Sequence, residues 1–217
     1  MFATKLLLAY TTQMEVSNKN LVSNISEQLG TGSINIFGLP FSGKDTHGKE
    51  LATLFSGALI SGGDILRSNV GPQHIKDLIA QGYMAPTDEY IQIITPYFIQ
   101  DKLKYVPLIL SSVGRWSGEE KSIVDAAKVS GHEIKAVVYL KVSEQEVHRR
   151  WQLAERGRHD DNELQILHKR FIEFKEKTLP VIEFYRQQGL LIEIDAMPVK
   201  KQVTGDILHR LDVHLTK

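Results

Sequence analysis

The run Gly38-Leu39-Pro40-Phe41-Ser42-Gly43-Lys44-Asp45-Thr46 constrains this chain more than any other. It follows the apolar segment Ser33-Ile34-Asn35-Ile36-Phe37 and opens a helical pattern carrying Lys49, Leu51, Ala52, Leu54 and Phe55. Strand, glycine-bearing loop, Gly-Lys and helix together form the layout that cradles nucleoside triphosphate phosphates. Backbone N–H groups of such a loop face the phosphates, and the helix start adds the positive end of its dipole. Glycines allow close approach, and Lys44 supplies a point charge for the outer phosphates. The strict pattern has Ser or Thr straight after the lysine; here Asp45 intervenes and the hydroxyl comes at Thr46. The alternative is an ordinary strand-turn-helix with turn glycines.

The rest of the chain agrees with a nucleotide site. Short apolar runs at 33–37, 58–60, 106–110, 136–140 and 190–194 alternate with helical patterns near 45–56, 73–81, 88–102, 118–130, 144–155, 162–187 and 199–214. Such alternation predicts a parallel sheet covered on both faces, with ligands at the carboxyl ends of its strands. Asp88 follows Pro86-Thr87 at a helix start, Ser143 and Glu146 form a capping box, and Gly189 ends a long helix. The loops at 38–45, 61–67 and 111–117 are therefore where chemistry is expected. Leu21, Ile25 and Leu29 recur every four residues, so 18–29 reads as a short amphipathic helix, docked on the body or on a partner, or else a lightly held extension.

Arginines crowd the same regions. Arg67 ends Ser61-Gly62-Gly63-Asp64-Ile65-Leu66-Arg67, Arg115 ends Ser111-Ser112-Val113-Gly114-Arg115, and Arg149, Arg150, Arg156, Arg158 and Arg170 follow. Phosphoryl transfer asks a protein for positioned cations more than for covalent chemistry, and the guanidinium fork binds phosphate oxygens bidentately. The 217 residues carry 26 basic and 26 acidic side chains, a net charge of zero that gives nucleic acid no electrostatic footing. Cysteine is absent, which excludes thiolate chemistry. The apolar Leu6-Leu7-Leu8-Ala9 is too short for a secretory leader, and no run reaches the roughly 20 apolar residues that span a bilayer. No membrane partner is expected, and a cytoplasmic setting is.

These segments resemble the adenylate kinase family of nucleoside monophosphate kinases. Gly38 to Thr46 resembles the family's Gly-x-Pro-Gly-x-Gly-Lys-Gly-Thr, and Ile60 to Arg67 its Ile-Ser-Thr-Gly-Asp-x-Leu-Arg. Ser111 to Arg115 resembles Asp-Gly-Phe-Pro-Arg, Gly157 to Asp161 a lid segment Gly-Arg-x-Asp-Asp, and Pro180 to Tyr185 a Pro-Val-Ile-x-Phe-Tyr. The resemblance implies an α/β three-layer P-loop kinase fold: a five-stranded parallel sheet, a small monophosphate-binding insert near 61–85 and a short lid near 156–161. Residues 1–30 would be an N-terminal extension and 31–217 the kinase domain. It implies ATP and Mg²⁺, a nucleoside monophosphate (AMP favoured) as acceptor, and a monomer.

It also implies roles. Gly38, Pro40, Ser42, Gly43, Lys44, Asp45, Thr46 and Arg150 would hold ATP, with Thr46 toward Mg²⁺. Gly62, Arg67, Met84, Arg115 and Glu119 would hold the acceptor. Lys44, Arg115, Arg156, Arg158 and Arg170 would act in transfer. The chain departs from the family at Phe41 and Asp45 (loop glycines), His47 (usually glutamine, not expected to bind metal), Gly62 (threonine near the acceptor base), Ser111 (an aspartate that orients the metal) and Glu119 (a glutamine that reads the base). Phe41 is expected to keep negative φ with its side chain turned from the phosphates. Asp64 is expected to hold its local turn. These departures leave two other readings: a degenerate nucleotide-binding protein with little catalysis, or a kinase for another small phosphoryl acceptor.

Overall fold

The computed structural model describes residues 19–68, 72–153 and 163–217. Five strands, β1 (Ser33–Gly38), β2 (Ala58–Ser61), β3 (Leu108–Ser111), β4 (Ile134–Lys141) and β5 (Leu191–Asp195), form one sheet in the order β2-β3-β1-β4-β5. Every pairing is parallel. β1 is central, flanked by β3 on one side and β4 on the other, so its outgoing loop lies where the strand order reverses. Ligands of open α/β sheets bind at such a point.

Alternation along the strands builds two cores. Ile34 and Ile36 of β1, Ile109 of β3, and Ala136, Val138 and Leu140 of β4 share one face. Phe37, Leu108, Leu110 and Val137 share the other. The first face is covered by α1 (19–29), α2 (Lys44–Leu54) and α10 (Lys200–Leu215), through Ile25, Leu29, Leu51, Val203, Ile207 and Leu211. Residues 19–29 thus dock on the body through fully buried Ile25 and Leu29.

The second face is covered by α3 (Gly62–Arg67), α4 (Gln73–Ala80), α5 (Thr87–Ile94), α6 (Glu120–Val129), α7 (Glu144–Gln152), α8 (Leu164–Glu173) and α9 (Leu179–Gln187). Half of the expected capping box forms: Ser143 Oγ accepts from the Glu146 N–H at 3.2 Å, while the Glu146 carboxylate turns to Arg149 and Arg150.

Three elements differ from the sequence reading. The helix expected over 88–102 ends at Ile94 and gives way to short 3-10 turns at Thr95–Tyr97 and Asp101–Leu103. The expected loop 61–67 is mostly helix, α3, started by Ser61, whose Oγ accepts from the Asp64 N–H at 3.3 Å. The pattern at 162–187 is interrupted by a π turn at Phe174–Thr178. Pro180, in the first turn of α9, has no N–H to donate back, and the widened turn absorbs the missing bond. That turn presents the Lys177 carbonyl to the Ser117 N–H at 3.0 Å and sets Lys177 Nζ 4.0 Å from the Trp116 ring centre. It therefore braces the loop after β3.

Candidate active site

The floor of the site is the loop after β1. A Cβ on Gly38 would lie 2.5 Å from Ser42 Oγ and 2.9 Å from the Leu140 carbonyl oxygen, so only glycine lets the chain double back there. The Ser42 N–H closes the turn on the Leu39 carbonyl at 3.1 Å. Gly43, at φ 99°, swings the backbone into α2. Lys44 begins that helix and folds over the loop, its Nζ donating to the carbonyls of Gly38 (2.9 Å) and Leu39 (2.8 Å).

Phe41 corrects an expectation. Its φ is +59°, not negative. The side chain does turn inward, where it is buried in the core with Leu39 and Phe37. Left-handed backbone costs an L-residue about 1–2 kcal/mol, and burying a phenyl ring yields about 1.5–3 kcal/mol, which offsets it. Arg150 straps this loop to the end of β5. Its Nη1 reaches the Phe41 carbonyl at 3.4 Å, Nη2 donates to the Ala196 carbonyl at 2.6 Å, and Nε donates to Glu146 at 2.8 Å. Arg149 shares Glu146 with it but is exposed.

The walls are cationic. Lys44 of α2, Arg67 of α3, Arg115 from the loop after β3 and Arg170 of α8 border one cavity, together with Pro40, Asp45, Ser61, Ser111 and Ser112. An adjoining recess shares Pro40 and the same four cations and adds Met84 and Glu173. Four distant stretches of chain thus aim positive charge at one space. Desolvation and the nearby charges of Arg170 and Arg67 lower the pKa of Arg115, which stays protonated nonetheless. Such crowding is tolerable when a polyanion fills the gap.

Local bonds hold these arginines. Asp64 takes a 3.1 Å bond from Arg67 Nη2. Asn35, buried within β1, exchanges bonds with the backbone of Val113 (Nδ2 to O, 2.7 Å; N to Oδ1, 3.3 Å) and so fixes the loop that carries Arg115. In that loop Ser112 sits at φ +51°.

The acceptor-side residues are less uniform. Met84, Arg67 and Arg115 border the cavity; Gly62 starts α3 beside it. A Cβ on Gly62 would meet the Tyr90 hydroxyl at 2.7 Å, and that hydroxyl accepts the Gly114 N–H at 3.0 Å. Glu119 is not among the cavity's lining side chains. It is buried just before α6, where Oε2 accepts the Trp116 N–H at 3.0 Å and burial pushes its carboxyl up to about 7. His47 lies in the interior, Nδ1 3.1 Å from Thr204 Oγ1, and burial lowers its pKa. Arg156, Arg158 and the lid expected at 156–161 lie outside the described residues.

Sequence reasoning did not single out Tyr90 or Asn35. An asparagine inside an apolar strand is a signal in itself; a tyrosine on an amphipathic helix is not.

The oxygens available to a divalent cation are hard ones. Thr46 is exposed on the first turn of α2, and Ser111 Oγ donates to Asp45 Oδ1 at 2.8 Å beside it. No cluster of three or more His, Cys, Asp or Glu side chains occurs among the described residues. This set suits Mg²⁺, which arrives on phosphates and takes few protein ligands.

Comparison with known proteins agrees with this geometry. The family model described as Adenylate kinase matches residues 36–190. The "Adenylate kinase" of Thermobifida fusca is 34% identical over 177 residues, covering 78% of this chain and 92% of that protein. Those of Clavibacter michiganensis and a Nocardioides species are each 31% identical, covering 75% and 82% of this chain and 84% and 96% of theirs. The chain belongs to the adenylate kinase family, whose members are ATP- and Mg²⁺-dependent phosphotransferases acting on nucleoside monophosphates.

Proposed function

We propose that this chain transfers the γ-phosphoryl group of ATP to AMP. The observation that carries this reading is the convergence of Lys44, Arg67, Arg115 and Arg170 on one cavity at the carboxyl ends of β1 and β3. A protein that only bound ATP would need no second group of cations. The main-chain amides of Gly38 to Thr46, with Pro40, Ser42 and Gly43 shaping the loop, hold the donor phosphates, and Lys44 leaves its carbonyl partners to meet them. Arg150 supports the loop on its donor side. Arg67 and Arg115 grip the acceptor phosphate, with Gly62 and Met84 toward its base.

In the transfer, an oxygen of the acceptor phosphate attacks the γ-phosphorus in line, and the bond to the β–γ bridging oxygen breaks, giving two diphosphates. Lys44, Arg115, Arg170 and, from the lid near 156–161, Arg156 and Arg158 spread the charge that develops on the transferring group. Mg²⁺, when bound, neutralises charge on the donor phosphates, with Thr46 on its side of the site. Closure of the lid and of the insert near 61–85 over the residues 31–217 body excludes water, the competing acceptor.

AMP is favoured over other acceptors by likeness to relatives named adenylate kinase. Among the described residues no helix is long and apolar enough to cross a membrane.

A coupled assay of ADP release with AMP, dAMP, CMP, UMP and GMP tests the reading. Turnover fastest with AMP is expected. Tight ATP binding with no turnover on any of the five would instead mark a degenerate nucleotide-binding protein, and turnover confined to another base would move the acceptor.

A further inference from the structure

A carboxylate stands inside the cavity that must receive a triphosphate. Asp45, in the first turn of α2, borders the same space as Lys44 and Arg115. A negative charge there opposes metal-free ATP, which carries about four negative charges of its own at neutral pH, and the opposition grows as water is displaced. Toward ATP already carrying a divalent cation the same carboxylate is attractive.

The carboxylate is also held. Ser111 Oγ donates to Asp45 Oδ1 at 2.8 Å across a sequence separation of 66 residues. Ser111 is the last residue of β3, almost fully buried, and is in register with Ile36 of β1 and Ser61 of β2. The bond therefore ties the start of the phosphate-binding helix to the carboxyl edge of the sheet. A small hydroxyl at Ser111 leaves room for the Asp45 side chain and satisfies part of its acceptor capacity. An acidic residue at both positions would set two carboxylates against each other.

We propose that Asp45, anchored by Ser111 at the end of β3, makes the site selective for ATP in its divalent-cation complex and orients that cation's water shell. It acts on the reaction through the metal and is a positioning residue. This rests on the ATP reading above. The carboxylate is thus carried by α2 and held at the end of β3, where both residues border the cavity.

The test is calorimetric and independent of turnover. The β,γ-imido analogue of ATP is titrated into the full chain in excess EDTA and again with Mg²⁺. The wild type is expected to bind the Mg²⁺ form at least tenfold more tightly. In Asp45→Asn, which keeps the shape and the acceptor for Ser111, that ratio is expected to fall about tenfold, with the metal-free nucleotide binding better than to wild type. Asp45→Gly/Ser111→Asp, which moves the carboxylate onto β3, is expected to recover the ratio. An unchanged ratio in Asp45→Asn overturns the inference, as does failure of the folded double variant to recover it. A wild type that binds the analogue equally well with and without Mg²⁺ also overturns it while leaving the ATP reading intact. A wild type that binds neither form overturns the ATP reading and this inference with it.

Discussion

At Phe41 the backbone turns left-handed while its ring fills the core, so one residue carries opposed energies that substitutions can separate. Phe41→Ala loses the ring and keeps the unfavourable φ, whereas Phe41→Gly loses the ring and relieves it. Both are expected to destabilise, Phe41→Ala by about 3–5 kcal/mol and Phe41→Gly by about 1 kcal/mol less. Urea midpoints check this; Phe41→Ala at least as stable as Phe41→Gly would show that the turn is unstrained.

Glu119 supplies a second residue-scale outcome. Its folded pKa, raised to about 7 by burial, exceeds the ordinary carboxyl value of 4.5. The folded state therefore holds a proton that the unfolded state has released between those two values. Stability is full below the unfolded pKa and declines as pH rises toward 7, by about 3 kcal/mol in all. Glu119→Gln is expected to abolish that decline. Denaturation at pH 5 and pH 8 measures it, and parallel pH dependence in the two proteins would contradict it. Arg115→Ala is expected to raise KM for the monophosphate and lower kcat by roughly 100-fold or more, with the KM for ATP little changed; unchanged monophosphate kinetics would contradict the acceptor assignment.

At the scale of elements, the stretch ahead of the phosphate loop is part of the body. Ile25 and Leu29 of α1 lie among Ile34, Leu51, Ile207 and Leu211, and Asn24 bonds to Asp212 of α10. Ile25→Ala is expected to cost about 2–5 kcal/mol in an equilibrium unfolding titration. A loss below about 0.5 kcal/mol would mean that α1 adds little to the folded state. The strands and long helices were legible because β1, β3 and β4 are dominated by apolar residues and the helices between them keep a 3.6-residue period.

Other features were not legible. The six-residue α3, beginning Gly62-Gly63, is too short to display a period, and its nucleation rests on the Ser61 cap and on packing of Leu66. The π turn before α9 comes from a single proline and the loop it braces. In the site, Lys44, Arg67 and Arg115 were legible because each follows a strand and a glycine turn. Tyr90 and Asn35 act through partners far along the chain, Gly114 and Val113, and only folding pairs them.

Across the whole molecule, the strand order β2-β3-β1-β4-β5 places the outgoing loops of β1 and β3 side by side. Helices from both sides of that junction, with the loop after β3, then surround it with Lys44, Arg67, Arg115 and Arg170. The central claim is that this single cationic cavity receives two nucleotides with their phosphates end to end. A bisubstrate compound, two adenosines joined by five phosphates, tests that claim most directly by titration calorimetry. The account predicts one molecule bound per chain, at least 100-fold more tightly than ATP or AMP alone, because the second half binds intramolecularly. Affinity no greater than that of ATP alone would contradict it.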